Sequence, residues 1–109
     1  MALASVEVSG KHAERLAGEL QVALSRAAGP AERVSPVEVD RSADLLVAVF
    51  GLVFSGVSTA KTIWDWWQSQ RAEGVTVRIL LEDGSQVDLS RIDQWQLQVE
   101  LERRTKPGS

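Results

Sequence analysis

The first third of the chain passes from a two-residue to a helical spacing of apolar positions. Residues 4 to 8 alternate apolar and polar side chains, which predicts a short β strand. Residues 11 to 28 repeat apolar side chains every three or four positions, and Gly29-Pro30 is a typical stop signal, so we expect a helix there. Residues 33 to 39 alternate around a proline, so we expect any strand there to be short or at a sheet edge.

An uncharged stretch runs from Leu45 to Ala60 in the middle of the chain. It is shorter than the ~20 residues that a helix needs to cross a bilayer, and glycine and serine interrupt it, so a buried segment is favoured over a membrane span. Ser55-Gly56 is the natural break, which predicts helices at about residues 44–54 and 57–71. The valine and phenylalanine content of "VAVFGLVF" is also compatible with a β strand.

A β-hairpin is predicted after Gly74. Val75 to Leu81 place apolar side chains at alternate positions, and Val87 to Leu89 resume the alternation. Between them, Asp83-Gly84 has the composition of a two-residue turn with positive φ.

The last apolar run, Trp95 to Leu101, also has a spacing of two. This spacing favours a strand over residues 94 to 103, although glutamine, glutamate and leucine are good helix formers and a helix is the alternative. We expect a single domain at residues 1–105 and a flexible tail at residues 106–109. Together the elements predict a small α+β domain of order β-α-(β)-α-β-β, with a C-terminal strand or helix and a hydrophobic central helix packed on a small sheet.

The densest aromatic cluster is "TIWDWWQSQR", residues 62 to 71. On a helix Trp64 and Trp67 share one face, and Trp66 lies about 200° round from Trp64. We therefore expect Trp64 and Trp67 to be buried and Trp66 to be at the surface, either lying flat or anchoring an interface. The predicted core anchors are Trp64, Trp67, Val77 and Ile79. The predicted interface residues are Leu45, Val49, Leu52, Ile63 and Trp66.

The composition is that of an ordinary globular domain. The chain has 109 residues, 44% of them hydrophobic and 25% charged, which suits one domain. Its 12 basic and 15 acidic residues give a net charge of −3, and the basic residues are scattered, which argues against nucleic-acid binding. Cysteine is absent from the sequence, and no secretory signal is visible at the start, so a cytoplasmic location is expected.

Residues that could carry catalysis are sparse. His12 is the only histidine and has no neighbour in sequence that would complete a metal or nucleophile site, so we interpret it as a solvated residue at a helix start. The carboxylates are dispersed, and Asp83-Gly84 lacks the further oxygen ligands of a calcium loop. We therefore predict no catalytic, cofactor-binding or metal-binding residues, and a protein that is not an enzyme.

The order of elements around the tryptophans resembles the effector-associated constant component family of bacterial NTP-dependent conflict (defence) systems. In that family a helix ending in a tryptophan and basic residues precedes an alternating strand, an Asp-Gly turn and a second short strand. Here Trp66 to Arg71, Val75 to Leu81, Asp83-Gly84 and Val87 to Leu89 occupy these places. Glutamines replace part of the family's basic cluster, and the family pattern implies a helix where the C-terminal alternation favours a strand.

This resemblance implies a small non-enzymatic adaptor that acts by protein–protein contact. Its expected partners are an NTPase or an effector such as a protease, encoded beside it, and no cofactor is implied. Independently, the uncharged stretch carries apolar residues on two helical sides, more than one small sheet can cover, which suggests a homo-oligomer or a stable hetero-complex. The alternative is a membrane-associated small protein that uses residues 45–60.

Overall fold

The computed structural model describes residues 2–28, 32–42, 45–54, 57–70 and 74–105. Three helices and six strands alternate along this part of the chain. Their bounds are β1 Ala2–Gly10, α1 Ala13–Ala27, β2 Arg33–Val34, β3 Glu38–Ser42, β4 Leu45–Phe54, α2 Val57–Gln70, β5 Val75–Leu81, β6 Gln86–Asp88 and α3 Gln94–Thr105. The predicted α+β class is confirmed.

The strands form one antiparallel sheet in the order β2-β4-β1-β5-β6. β3 continues the edge begun by β2, because both pair with β4. Between them the chain contains Pro36, and the Ser35 hydroxyl accepts from the Gly51 amide at 2.6 Å. A proline at this edge costs no hydrogen bond inside the sheet. Residues 33–39 therefore do form edge structure, but as two short strands.

One face of the sheet is covered by helices. Alternate residues of β1, β4 and β5 point to this face, where they meet the apolar sides of the helices. The largest fully buried side chains are Phe50, Phe54, Leu16, Leu20, Ile63, Ile79, Leu89, Leu97, Leu101, Val6, Val8 and Val77. The core anchors expected on β5, Val77 and Ile79, are among them. The sheet therefore has a packed face and an open face.

The segment predicted as a helix over residues 44–54 is a β strand, so that prediction is wrong. β4 pairs with β1 on one side and with β2 and β3 on the other. Inner strands carry apolar residues at nearly every position, and this pattern does not distinguish a strand from a buried helix. The second predicted helix is present as α2, whereas the predicted break at Ser55-Gly56 lies outside the described residues. Within the described part of the chain, no helix is long and apolar enough to cross a membrane.

The tryptophans of α2 take the reverse of the predicted arrangement. Trp66 is 7% exposed and belongs to the core, next to the fully buried Ile63. Trp64 and Trp67 are only half-buried, although they pack against the core. Both sides of α2 carry tryptophan, so helical spacing alone does not say which side meets the sheet. The buried face of α2 is instead set by Thr59, Ile63 and Trp66.

The predicted interface is therefore wrong for most of its residues. Leu52, Ile63 and Trp66 are buried in the core beneath the helices. Val49 lies on the open face, because its position in β4 is an odd number of residues from Leu52. The backbone of Leu45 begins β4, and its side chain is outside the described part.

The predicted β-hairpin is present as β5 and β6, with a different turn. Leu81 pairs with Ser85 through a 2.9 Å hydrogen bond, and the Gly84 amide donates to the Leu81 carbonyl at 3.0 Å. Residues 82–84 therefore form a three-residue loop in place of the two-residue turn expected at Asp83-Gly84. Within this loop Gly84 alone has positive φ, at 88°, as expected for the residue that follows a type I turn.

The C-terminal segment is a helix, so the favoured strand over residues 94–103 is wrong. Asp93 caps α3, because its carboxylate accepts from the Gln96 amide at 2.8 Å and the Gln96 side chain accepts from the Asp93 amide at 3.1 Å. Leu97 and Leu101, four residues apart, are buried against the core. The expected tail at residues 106–109 lies outside the described residues.

Candidate interaction groove

A groove of about 650 Å³ lies between the end strand of the sheet and the C-terminal helix. Ser85 to Asp88 form one wall, and the opposite wall comes from α3 and the residues just before it. All three residues of β6 line it, together with Ser85 before them, so the groove follows the edge of the strand and does not cover only one face. Its volume is in the range of small-ligand and peptide pockets, ~300–1,000 Å³.

The helical wall carries a second apolar surface beside the one that enters the core. Trp95 and Val99, four residues apart, lie on one side of α3, and Ile92 lies just before the helix at the same wall, where it also packs against the core. Leu97 is two residues from both Trp95 and Val99 and so points about 200° away from them, into the core. Trp95 is 67% exposed, the most exposed of the large hydrophobic side chains in the described chain. Exposed aromatic residues beside a groove are typical of protein-binding sites.

The opposite wall is the edge strand of the sheet, and part of its main chain has no partner among the described residues. In β6, bonds at Leu81–Ser85 and Leu89–Val77 show that alternate residues pair with β5. Gln86 and Asp88 fall between these pairs, so their amide and carbonyl groups point away from β5. The Asp88 carbonyl accepts from the Arg91 amide at 3.0 Å. The Gln86 amide and carbonyl and the Asp88 amide are left along the groove.

The charged side chains of the groove differ in how strongly other residues of the protein bind them. Burial raises the pKa of Asp88, but hydrogen bonds from the Ser90 hydroxyl and amide, at 2.7 and 2.9 Å, with the nearby charges of Arg91 and Arg78, lower it overall. Glu100 accepts from Arg104 at 2.8 Å. By contrast, Arg91 reaches Asp88 only at 4.0 Å and its side chain is 85% exposed. The arginines are therefore the charges best placed to meet a ligand.

Arg104 holds the two walls of the groove together. From the last turn of α3 its guanidinium donates to Asp83 at 2.9 Å and to the Ser85 hydroxyl at 2.8 Å, both in the hairpin loop. The same guanidinium donates to Glu100 at 2.8 Å, which orients it along the helix. The Arg104 side chain is 18% exposed, so this contact is partly shielded from water. It fixes the position of α3 relative to β6.

The ionisation of the Asp83 carboxylate makes the stability of the fold depend on pH. Hydrogen bonds from the Ser85 hydroxyl and amide, followed by Arg104, lower the pKa of Asp83 from 3.8 to about 2. A carboxylate whose pKa is lower in the folded state stabilises the fold above its unfolded pKa and loses that contribution as pH falls towards the folded value. Asp83 should therefore favour the fold above pH ~4 and cease to do so near pH ~2.

We expect an NMR titration of the Asp83 carboxyl carbon to show a midpoint near pH 2. Ser85→Ala, which removes the hydroxyl donor, should raise that midpoint towards 3.8. The stability difference between wild type and Asp83→Asn in urea should shrink as pH falls from ~4 to ~2. A wild-type midpoint at the ordinary value, unchanged in Ser85→Ala, would contradict the loop geometry.

The open face of the sheet is a second partly exposed apolar surface. Val47, Val49 and Val53 on β4 point to this face, on which no helix packs in the described part of the chain. Leu3, opposite Val53, is 54% exposed. Glu7 of β1 lies between Val49 and Arg78 in the sheet register, so the centre of this face is charged. Val49 is the predicted interface residue that the structure does place on an accessible surface.

Metal or nucleophile chemistry has little support in the described residues. They contain no group of three or more histidine, cysteine, aspartate or glutamate side chains that could hold a metal ion. His12 is exposed at the start of α1, where it adopts a left-handed conformation with φ of 62°.

No protein-family model matches the chain, and a search of curated proteins finds no significant match.

Sequence reasoning missed the residues that line the groove. The strand predicted over residues 94 to 103 places Trp95 and Val99 on the same face as Leu97 and Leu101. The spacing between Asp93 and Gln96 is the signal that could have found them, because a carboxylate followed three positions later by glutamine is typical of a helix start. With a helix in place, a period of two separates into two stripes, one for the core and one for the groove.

Proposed function

We propose that this protein is a small non-enzymatic adaptor that binds a protein partner through the groove between β6 and α3. The observation that carries the proposal is the exposed apolar side of α3, with Trp95 two-thirds exposed beside the last strand of the described sheet. An exposed tryptophan that shares a groove with other apolar side chains is typical of a contact surface, and tryptophan is enriched among interface residues that dominate binding.

The polar side chains of the groove fit a binding role. Asp88 is held by Ser90, and Glu100 is held by Arg104, so both carboxylates already serve local structure. General acid–base chemistry needs a group that is free to exchange protons near neutral pH, and the lowered pKa of Asp88 does not suit that task. These residues support recognition better than catalysis.

The biological setting that we propose is a bacterial conflict or defence system, in which the partner is an NTPase or an effector such as a protease. The support is the resemblance of residues 4–90 to the effector-associated constant component family. The hairpin and the C-terminal helix of the structure agree with the pattern that this resemblance implies. The adaptor would act in the cytoplasm, and catalysis would belong to the partner.

Binding to the proteins encoded beside it tests the proposed function. Each candidate NTPase or effector is expressed and titrated against the adaptor by calorimetry. We expect one of them to bind, and Trp95→Ala to weaken that complex by about tenfold or more, because a truncated interface tryptophan commonly costs ~2 kcal/mol or more.

Val22→Ala is the matched control, because Val22 is also an exposed large hydrophobic residue, 44% exposed, but lies on α1. This variant should bind as tightly as wild type. Failure of every candidate to bind, or equal binding by Trp95→Ala, would refute the proposed role of the groove. Circular dichroism must show both variants folded.

A second role, as an oligomerising component, is favoured by the open face of the sheet. Leu3, Val47, Val49 and Val53 put partly exposed apolar area on this face around Glu7, and exposed apolar patches often mark a contact surface. Face-to-face packing of two sheets is a common way to cover such a surface. This role is compatible with the groove, because the groove is lined by Arg78 and residues from 85 to 100, whereas these valines lie on β4.

A further inference from the structure

We infer that the groove takes an extended segment of the partner as an additional strand along β6, with apolar and acidic side chains in alternation. This inference rests on the proposed function and specifies the chemistry of the ligand. Its basis is the combination, in one groove, of an edge strand without a further partner among the described residues, an exposed apolar surface and the exposed arginines Arg78 and Arg91.

The main chain of β6 selects an extended ligand. The Gln86 amide and carbonyl and the Asp88 amide point away from β5, and an added strand would satisfy all of them. A helix has its main-chain groups bonded internally and could not do so. Because β6 covers only residues 86–88, the matching part of the ligand is short, on the order of four to six residues.

The two sides of such a ligand would meet different chemistry. Side chains of a strand alternate, so every second one would face α3 and pack on Ile92, Trp95 and Val99. Apolar residues, and aromatic or branched ones above all, suit these positions. The intervening side chains would lie on the opposite, open face of the sheet, where Arg78 points and where Arg91 approaches Asp88.

Charge complementarity makes the intervening residues acidic. Ser90 donates twice to Asp88, and Arg104 neutralises Glu100, so neither carboxylate needs a cation from the ligand. Arg91 is 85% exposed, and its nearest distance to Asp88 is 4.0 Å, which is a weak ion pair. Turning towards a ligand carboxylate would therefore cost it little interaction energy within the protein. Arg78 lines the same groove and is also exposed.

The test uses a pool of synthetic hexapeptides, acetylated and amidated, in which valine, isoleucine or phenylalanine alternates with glutamate or aspartate. The pool is titrated into ¹⁵N-labelled full-length protein. We expect shifts at the Trp95 indole and the Gln86 amide, and about tenfold or more slower exchange of the Gln86 and Asp88 amide hydrogens, because they become hydrogen-bonded.

Two matched changes separate strand addition from general stickiness. Peptides N-methylated at every second residue keep their side chains but lose the donors on one edge, so one of the two N-methylated registers should not bind. Arg91→Gln should weaken binding several-fold and Trp95→Ala about tenfold or more, whereas Val22→Ala should have no effect.

Absence of binding by the whole pool at 1 mM would overturn the inference, and so would binding that leaves Gln86 and Asp88 unprotected or that tolerates both N-methylated registers. If the two amides are protected without peptide and the protein dimerises with increasing concentration, a second copy occupies the edge and the peptide assignment is wrong. A partner complex that still depends on Trp95 when every peptide fails would leave the adaptor role intact and refute only the strand addition.

Discussion

Replacing Trp66 with alanine is expected to remove about 3–5 kcal/mol of stability, enough to unfold much of the protein at room temperature. Trp66 is 7% exposed and lies in the core with Ile63, where truncation leaves a large cavity. The same change at Trp64 should cost less, because this side chain is only half-buried and water can fill part of the space. Trp95→Ala, at 67% exposure, should cost the least.

Urea unfolding followed by far-ultraviolet circular dichroism measures all three variants without depending on tryptophan fluorescence. The expected order of destabilisation is Trp66, then Trp64, then Trp95. Equal losses at Trp66 and Trp64, or a greater loss at Trp64, would show that the assigned buried face of α2 is wrong. Iodide quenching of single-tryptophan variants is an independent check, with Trp95 the most accessible.

The elements that sequence reasoning predicted correctly are those whose pattern has one interpretation. β1 has a strict alternation that places its even-numbered residues in the core, and α1 has a single apolar stripe. The hairpin joins two alternating strands through a glycine that must take positive φ. In each case the local preference and the tertiary environment favour the same structure.

The two wrong assignments come from apolar residues on both sides of an element. β4 is flanked by strands on both edges, and both its faces are apolar, so no period distinguishes it from a buried helix. In α3 the apolar spacing itself has two interpretations. Apolar residues at 95, 97, 99 and 101 fit one face of a strand, and they fit equally well two sides of a helix, one with Trp95 and Val99 and the other with Leu97 and Leu101. Cap chemistry at Asp93 decides it, and spacing alone does not.

The groove itself could not be predicted from local sequence. It requires α3 to be a helix, β6 to be the last strand of the sheet, and Arg104 to reach the hairpin loop twenty-one residues before it. Strand order is a property of the whole fold, and β6 gives no local sign that it lies at an edge. The open face of the sheet was hidden for a related reason, because Val49 and Leu52 share a side on a helix but oppose one another on a strand.

Because Val49 and Leu52 point to opposite faces of β4, the same substitution should have very different effects at the two positions. Leu52→Lys should abolish the cooperative unfolding transition, because Leu52 is 4% exposed beneath the helices and an unpaired ammonium there costs several kcal/mol. Val49→Lys should leave the fold intact. In the sheet register Val49 is opposite Glu7 on β1 and Glu38 on β3, so the new charge has acidic neighbours on both sides.

Thermal unfolding at neutral pH, followed by circular dichroism, separates the two outcomes. Val49→Lys should keep a sharp transition within a few degrees of wild type, since a change of ~1 kcal/mol moves the midpoint of a domain this size by ~4–8 °C.

Light scattering on the same samples tests self-association through the open face. A wild type that forms a larger species, reduced to a monomer by Val49→Lys, would place the contact there. A wild type that stays monomeric at high micromolar concentration would exclude it. A folded Leu52→Lys together with an unfolded Val49→Lys would mean that the helices cover the other face of the sheet, and the register of β4 would then be wrong.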